Sequence, residues 1–329
     1  MYPIPEFKGP FRELIPEFIM YKRALGYNYG KNIVYRLAEM NRFFIENGIS
    51  EIAIPKSVFD RWISLKNNET ASNQEKRYMA IHGFAKFLIQ NGYRNIYDSE
   101  NPVCKRDDFV PYIYSQEEIS KLFQAADNFK TVHTAYAYNH GAMLPVLLRL
   151  LYSTGMRISE ALALKIKDID WKSGNLYIWN SKNHVSRMIC VSATMKQILE
   201  KYRNTITFVS DVDYLFHGYD GRPYPYETVN HIFRQVLVRA GIAPRASGKY
   251  PRIHDLRHVM AIRALEQMEQ KGYDLYSSLP LLSKYLGHKT IIETEYYIRL
   301  TQSSFSRITA AADSYSPDLF PRLDGDHYE

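Results

Sequence analysis

The 329-residue chain is 46% hydrophobic and 23% charged, a balance that fits a globular protein and excludes a disordered, fibrous or collagen-like one. At this length a single core of ordinary size gives way to two, so two domains are expected. The formal charge is +7, and residues 111–312 hold 25 Lys and Arg against 17 Asp and Glu, which suits a polyanionic partner because each cation that neutralises a phosphate releases condensed counterions.

In chain order, residues 11–92 read as four amphipathic helices, Phe11–Leu25, Lys31–Asn47, Val58–Leu65 and Gln74–Gln90. Gly26, Gly48 and Gly92 stop three of them, and Pro55 precedes the third. Periodicity then vanishes between Ile96 and Tyr114, where DSENPVCKRDDFVP has the composition of an interdomain linker. The expected division is a helical domain over 1–100, a linker over 101–113, a second domain over 114–312 and an acidic, disordered tail over 313–329.

The second domain opens at Ser115, where S-Q-E-E supplies a capping box before Ile119, Leu122 and Phe123. Helices are expected over Ala142–Thr154, Ile158–Leu164, Tyr226–Ala240, His254–Gln270, Leu279–Leu286 and Glu293–Ile298, and SSFSRITAAA at 303–312 has a helical composition. Leu176–Trp179 and Met188–Val191, separated by the polar NSKNHVSR, read as a β-hairpin. No apolar run reaches the ~18 residues of a membrane span, and the N-terminus has neither a basic n-region nor an apolar h-region, so a cytoplasmic protein is expected. Cys104 and Cys190 are too few for a disulfide framework and read as free thiols.

Three clusters carry chemistry: T-G-M-R-I-S-E at 154–160, H-D-L-R-H at 254–258 and L-G-H-K-T-I-I-E-T-E-Y-Y at 286–297. In this order they resemble the phage-integrase, or tyrosine-recombinase, family, whose catalytic domain shows an Arg after a Gly, then His-x-x-Arg, then Leu-Gly-His with a Tyr nine positions later. The matching residues are Arg157, His254 with Arg257, His288 and Tyr297. Lys182, in the hairpin turn N-S-K-N, stands where the family has a catalytic lysine. By motif the resemblance covers residues 112–312, and the helical 1–95 region looks like the family's core-binding domain by pattern alone.

The resemblance implies a mainly α fold with a small antiparallel β-sheet, divided between an N-terminal helical SAM-like core-binding bundle and a mixed α/β catalytic domain. It also implies double-stranded DNA as partner, a homotetramer on two DNA sites, a 3′-phosphotyrosyl intermediate, and no metal, ATP or small-molecule cofactor.

The chemistry calls for these residue types independently. Phosphodiester transesterification builds charge on non-bridging oxygens, and the planar guanidiniums of Arg157 and Arg257 can clamp two such oxygens. A phenol with a pKa of roughly 10 needs a cationic or basic neighbourhood to attack. The departing 5′-oxygen needs a proton, and by analogy with the family Lys182 supplies it. His254 either binds the phosphate or helps to move the tyrosine proton, His288 donates to a non-bridging oxygen, and Glu160 either orients a catalytic group or is an ordinary surface carboxylate.

Three alternatives stay open. His254 and His258 have the four-residue spacing of a zinc helix, with Asp255 in place of its Glu. Adjacent helical residues point about 100° apart, so only one of Tyr296 and Tyr297 can face the site, and the family spacing selects Tyr297. The last alternative is a DNA-binding accessory protein on the same fold.

Overall fold

The computed structural model describes residues 2–67, 69–99, 110–130, 137–179, 186–205, 213–218, 220–245, 247–298 and 300–301. Cys104, most of the expected linker, the hairpin turn with Lys182, and the expected helix and tail beyond 302 lie outside these residues. The chain divides into two compact units, Met1–Val110 and Pro111–Glu329. Among the described residues no helix is long and apolar enough to cross a membrane.

The first unit holds α1 (Leu14–Ala24), α2 (Lys31–Glu46), α3 (Lys56–Ile63) and α4 (Ala71–Gln90). Their apolar stripes converge on aromatic rings. Phe11 meets Phe44 at 5.2 Å and Phe84 at 5.4 Å, and Phe18 meets Phe84 at 5.5 Å, all with the tilted or edge-on geometry that aromatic pairs prefer. Trp62 of α3 donates its indole N–H to the Arg77 carbonyl of α4 at 3.0 Å, so this large buried ring leaves no polar atom unpaired.

The second unit contains α5 (Gln116–Asp127), α6 (Ala137–Thr154), α7 (Ile158–Ala163), β1 (Ile169–Asp170), β2 (Asn175–Ile178), β3 (Arg187–Cys190), α8 (Ala193–Thr205), α9 (Tyr226–Arg239), α10 (Asp255–Gln270), α11 (Leu275–Leu286) and α12 (Ile292–Ile298). The capping box forms at Ser115, whose Oγ accepts from the Glu118 N–H at 3.1 Å while the Glu118 carboxylate accepts from the Ser115 N–H at 2.8 Å. Helix α6 packs against α5, α8 and α10, and its Leu144, Leu147, Leu148 and Leu151 are part of the larger core. A smaller core joins α10, α11 and α12 through Ile262, Leu265, Leu279, Leu282 and Leu286, and Tyr297 closes it.

Helix α6 starts at Ala137, five residues before its expected start at Ala142, and three further features depart from the sequence expectation. Helix α8 is an addition: its buried residues Met195, Leu199 and Tyr202 follow helical spacing, but they form a stripe of only three residues among ten less buried ones. Helix α11 starts at Leu275, with Asp274 capping the Ser277 N–H at 2.8 Å, and runs through Pro280, a residue that in sequence argues for a later start. The hairpin gains a third strand, and the sheet has the order β1-β2-β3, antiparallel throughout.

The register of that sheet aims a residue at the site. Leu176 pairs with Ile189 and Ile178 with Arg187, so Arg187 shares the inward face with Ile189. Helix α11 ends at Gly287, in the left-handed region at φ 70°, and a Cβ there would lie 2.9 Å from the Arg187 guanidinium. Gly241 has a similar φ of 68°, with nothing within 4 Å of where a Cβ would stand, which makes it the control. Gly241→Ala is expected to cost only backbone strain, about 1 kcal/mol. Gly287→Ala adds the displacement of Arg187, so thermal melts should show it lowering Tm further than Gly241→Ala, by several degrees in all.

Candidate active site

The carbonyl end of α11 gathers three guanidinium groups. Arg187 donates to the Tyr285 carbonyl at 2.9 Å, Arg257 to Leu286 at 2.8 Å and Arg157 to Gly287 at 3.1 Å. The three come from β3, the first turn of α10 and the N-cap of α7. A helix C-terminus concentrates unpaired carbonyls and the negative end of the helix dipole, so it is a natural dock for cations. Arg257 also donates to the Gly155 carbonyl at 2.8 Å, which ties the α6–α7 turn to the same point.

Glu160 offsets the mutual repulsion of these cations. Its carboxylate accepts from Arg157 at 2.9 Å and from Arg187 at 3.0 and 2.7 Å, and it also caps the Arg157 backbone N–H at 2.9 Å. Burial alone would raise its pKa, but the hydrogen bonds and charge of Arg187 and the hydrogen bonds of Arg157 outweigh that and hold it below the ordinary carboxylate value. It is 7% exposed, so it is no ordinary surface carboxylate. Arg257 is pulled down to about 10, by burial first and the Arg157 charge second, and is still cationic at neutral pH.

Tyr297 enters this cluster from α12. It is 3% exposed, and its hydroxyl lies 3.0 Å from Nδ1 of His258. Burial raises the phenol above its usual pKa, while the charge and hydrogen bond of Arg257 and the charge of Arg157 pull the other way. Tyr296 is half-buried and packs against the outside of the α10–α11–α12 core that Tyr297 closes. His288 follows the Gly287 cap and stacks on the Tyr297 ring, with 6.2 Å between centroids and 22° between planes; its Nδ1 lies 2.7 Å from the Thr294 hydroxyl.

All three histidines are held neutral at pH 7. His254 and His258 are lowered to about 4 and His288 to about 3, each by burial first; His258 and then Arg257 follow for His254, Arg252 and Arg257 for His258, and Arg257 and Arg157 for His288. Neutral imidazoles can both donate and accept, which suits proton handling beside a phosphate.

The geometry thus brings Arg157, Glu160, His254, Arg257, His288 and Tyr297 into one neighbourhood, while Lys182 lies outside the described residues. Two members escape a reading of the sequence. Arg187 looks there like one more cation in a strand, and its signal is its place on the inward face of the hairpin. His258 stands out only as half of a metal pair, although its position one turn after His254 puts both on one helix face. In the zinc reading Asp255 would act as a base, but its carboxylate is taken by Arg245 at 3.3 Å and Arg252 at 3.2 Å. Among the described residues, no group of three or more His, Cys, Asp or Glu side chains is placed to hold a metal ion.

Residues 113–304 match the family model of the phage integrase family. The chain is 25% identical over 293 residues to a Sinorhizobium fredii protein described as an integrase/recombinase, y4rB, covering 88% of this chain and 92% of that protein. It is 29% identical over 246 residues to the tyrosine recombinase XerD of Oceanobacillus iheyensis, covering 72% and 73%. Among solved structures, XerH site-specific recombinase bound to its difH substrate in a pre-cleavage complex aligns with a TM-score of 0.64 at 19% identity, covering 95% of this chain and 99% of that one. A lambda integrase dimer bound to a COC′ core site aligns with a TM-score of 0.62 at 18% identity, covering 86% and 94%. These structural likenesses concern the fold, and the family match spans more than half of the chain: the protein belongs to the phage integrase family and is a site-specific tyrosine recombinase.

Proposed function

We propose that this recombinase acts on double-stranded DNA, with Tyr297 as nucleophile. The observation that carries the assignment is the Tyr297 hydroxyl itself, buried, 3.0 Å from an imidazole and beside the Arg257 guanidinium. Its oxygen attacks the scissile phosphorus, the bond to the 5′-oxygen breaks, and a 3′-phosphotyrosyl link remains. The free 5′-hydroxyl then attacks the partner strand's link, so bond energy is conserved without ATP.

Arg157 and Arg257 clamp the non-bridging oxygens. A guanidinium has more donors than the carbonyls of Gly155, Leu286 and Gly287 take up, and the α11 terminus holds both planes in place before DNA arrives. Lys182 protonates the departing 5′-oxygen, and His254 and His288 hydrogen-bond the phosphate. Glu160 acts through Arg157 as a positioning residue. The helical residues 1–100 also bind the duplex, four protomers assemble on two sites, and the work is done in the cytoplasm.

A duplex site recovered by selection from a random-sequence library, then nicked to trap the adduct, tests the chemistry. Denaturing gels should show a covalent protein–DNA band for the wild type and Tyr296→Phe, with or without EDTA, and none for Tyr297→Phe. A band that survives in Tyr297→Phe, or that EDTA abolishes, overturns the assignment. Arg157→Ala and Arg257→Ala should each slow cleavage by about 100- to 1,000-fold. Lys182→Ala should lose about 100- to 10,000-fold, and sulfur in place of the bridging 5′-oxygen, a leaving group that needs no proton, should restore it. Light scattering of the DNA complex should give the mass of four chains and two duplexes.

A further inference from the structure

We propose that His258 takes the proton from Tyr297 during attack and returns it when the strand is rejoined. The inference rests on Tyr297 being the nucleophile and goes further by naming where its proton travels.

The case is one of geometry and elimination among three imidazoles. His258 Nδ1 lies 3.0 Å from the Tyr297 oxygen, within reach for a direct proton transfer. The His288 ring stacks on the face of Tyr297, and its Nδ1 already faces the Thr294 hydroxyl. The His254 ring stands edge-on to His258, with 5.1 Å between centroids, so it supports that imidazole. His254 and His288 are thereby left to the phosphate. Arg257 hydrogen-bonds the Tyr297 oxygen, and with the His258 proton on Nε2 the hydroxyl donates to Nδ1 at 3.0 Å, so the phenolate that forms already has a cationic donor in place.

Protons balance over the cycle. The phenol proton moves to Nδ1 of His258, the oxygen forms its bond to phosphorus, and the departing 5′-oxygen takes a proton from Lys182. In rejoining, the incoming 5′-hydroxyl gives its proton back to Lys182, and the departing tyrosine oxygen recovers one from the His258 imidazolium.

The groups facing His258 are Arg245 and Arg252 from the segment before α10, His254 and Arg257 on α10 itself, Tyr297 on α12 and His288 at the end of α11. Burial first, then Arg252, Arg257 and Arg245, lower His258 to about 4, which leaves it neutral and able to accept at pH 7. A phosphate on Arg157 and Arg257 brings negative charge into the same pocket and raises the imidazole toward its working range.

Single-turnover cleavage of the selected, nicked site is measured from pH 5 to 9.5. The wild-type rate should be flat above about pH 6.5 and fall below it, as His258 becomes protonated before the tyrosine attacks. His258→Asn and His258→Gln keep a polar side chain that cannot take the proton, and should cut about 100-fold more slowly at pH 7 with a rate that climbs with pH. Bridging 5′-sulfur should leave that defect in place, in contrast to Lys182→Ala. His254→Asn should be slower with a flat profile. The inference is overturned by His258 variants that bind the site and cut within threefold of the wild type. A wild-type rate that climbs tenfold per pH unit overturns it without any substitution, and so does a climbing profile in His254→Asn. Failure of Tyr297 as nucleophile would appear separately, as an adduct persisting in Tyr297→Phe.

Discussion

The carbonyl end of α11 is the point on which the site depends. Three arginines from elements far apart in sequence place their guanidiniums on the consecutive carbonyls of Tyr285, Leu286 and Gly287. Cations this close repel, and what holds them is the unpaired carbonyls and dipole of the helix end together with the buried carboxylate of Glu160. The arrangement is charged in advance for a second anion. When a phosphate enters, no reorganisation of dipoles is needed to receive it, and this is where electrostatic catalysis gains most.

Burial first, and the same positive field second, set the protonation of the groups around it. The field keeps His254, His258 and His288 neutral, as burial does, and it opposes the rise that burial imposes on the Tyr297 phenol. At rest the site therefore combines a protonated Tyr297 with unprotonated imidazoles, the state from which the proposed attack would begin. Burial of Tyr297 within the α10–α11–α12 core adds precision, since a ring packed between His258, His288 and Tyr296 has little freedom to turn.

Local devices hold this geometry in place. Gly287 ends α11 with a positive φ and leaves room for Arg187, and the β2–β3 register puts Arg187 on the inward face to use that room. Arg257 spans from Gly155 to Leu286 and so ties the turn that carries Arg157 to the helix that carries the carbonyls. A change at any of these points reaches Arg157 and Arg257, the groups proposed to hold the phosphate, without altering either residue.

By itself the sequence determined the long amphipathic helices, the capping box at Ser115, the hairpin and the spacing of Arg157, His254, Arg257, His288 and Tyr297, because periodicity and motif spacing are local properties of a chain. It did not reveal α8, whose buried stripe is only three residues deep, or the early start of α11 through Pro280. Tertiary structure alone decided that Arg187 belongs with Glu160, that Glu160 is buried, and that His258 rather than its neighbour His254 meets the Tyr297 hydroxyl. Those outcomes depend on strand register, helix-end position and ring orientation. They are set by contacts between residues as much as 130 positions apart, and no reading along the chain can supply them.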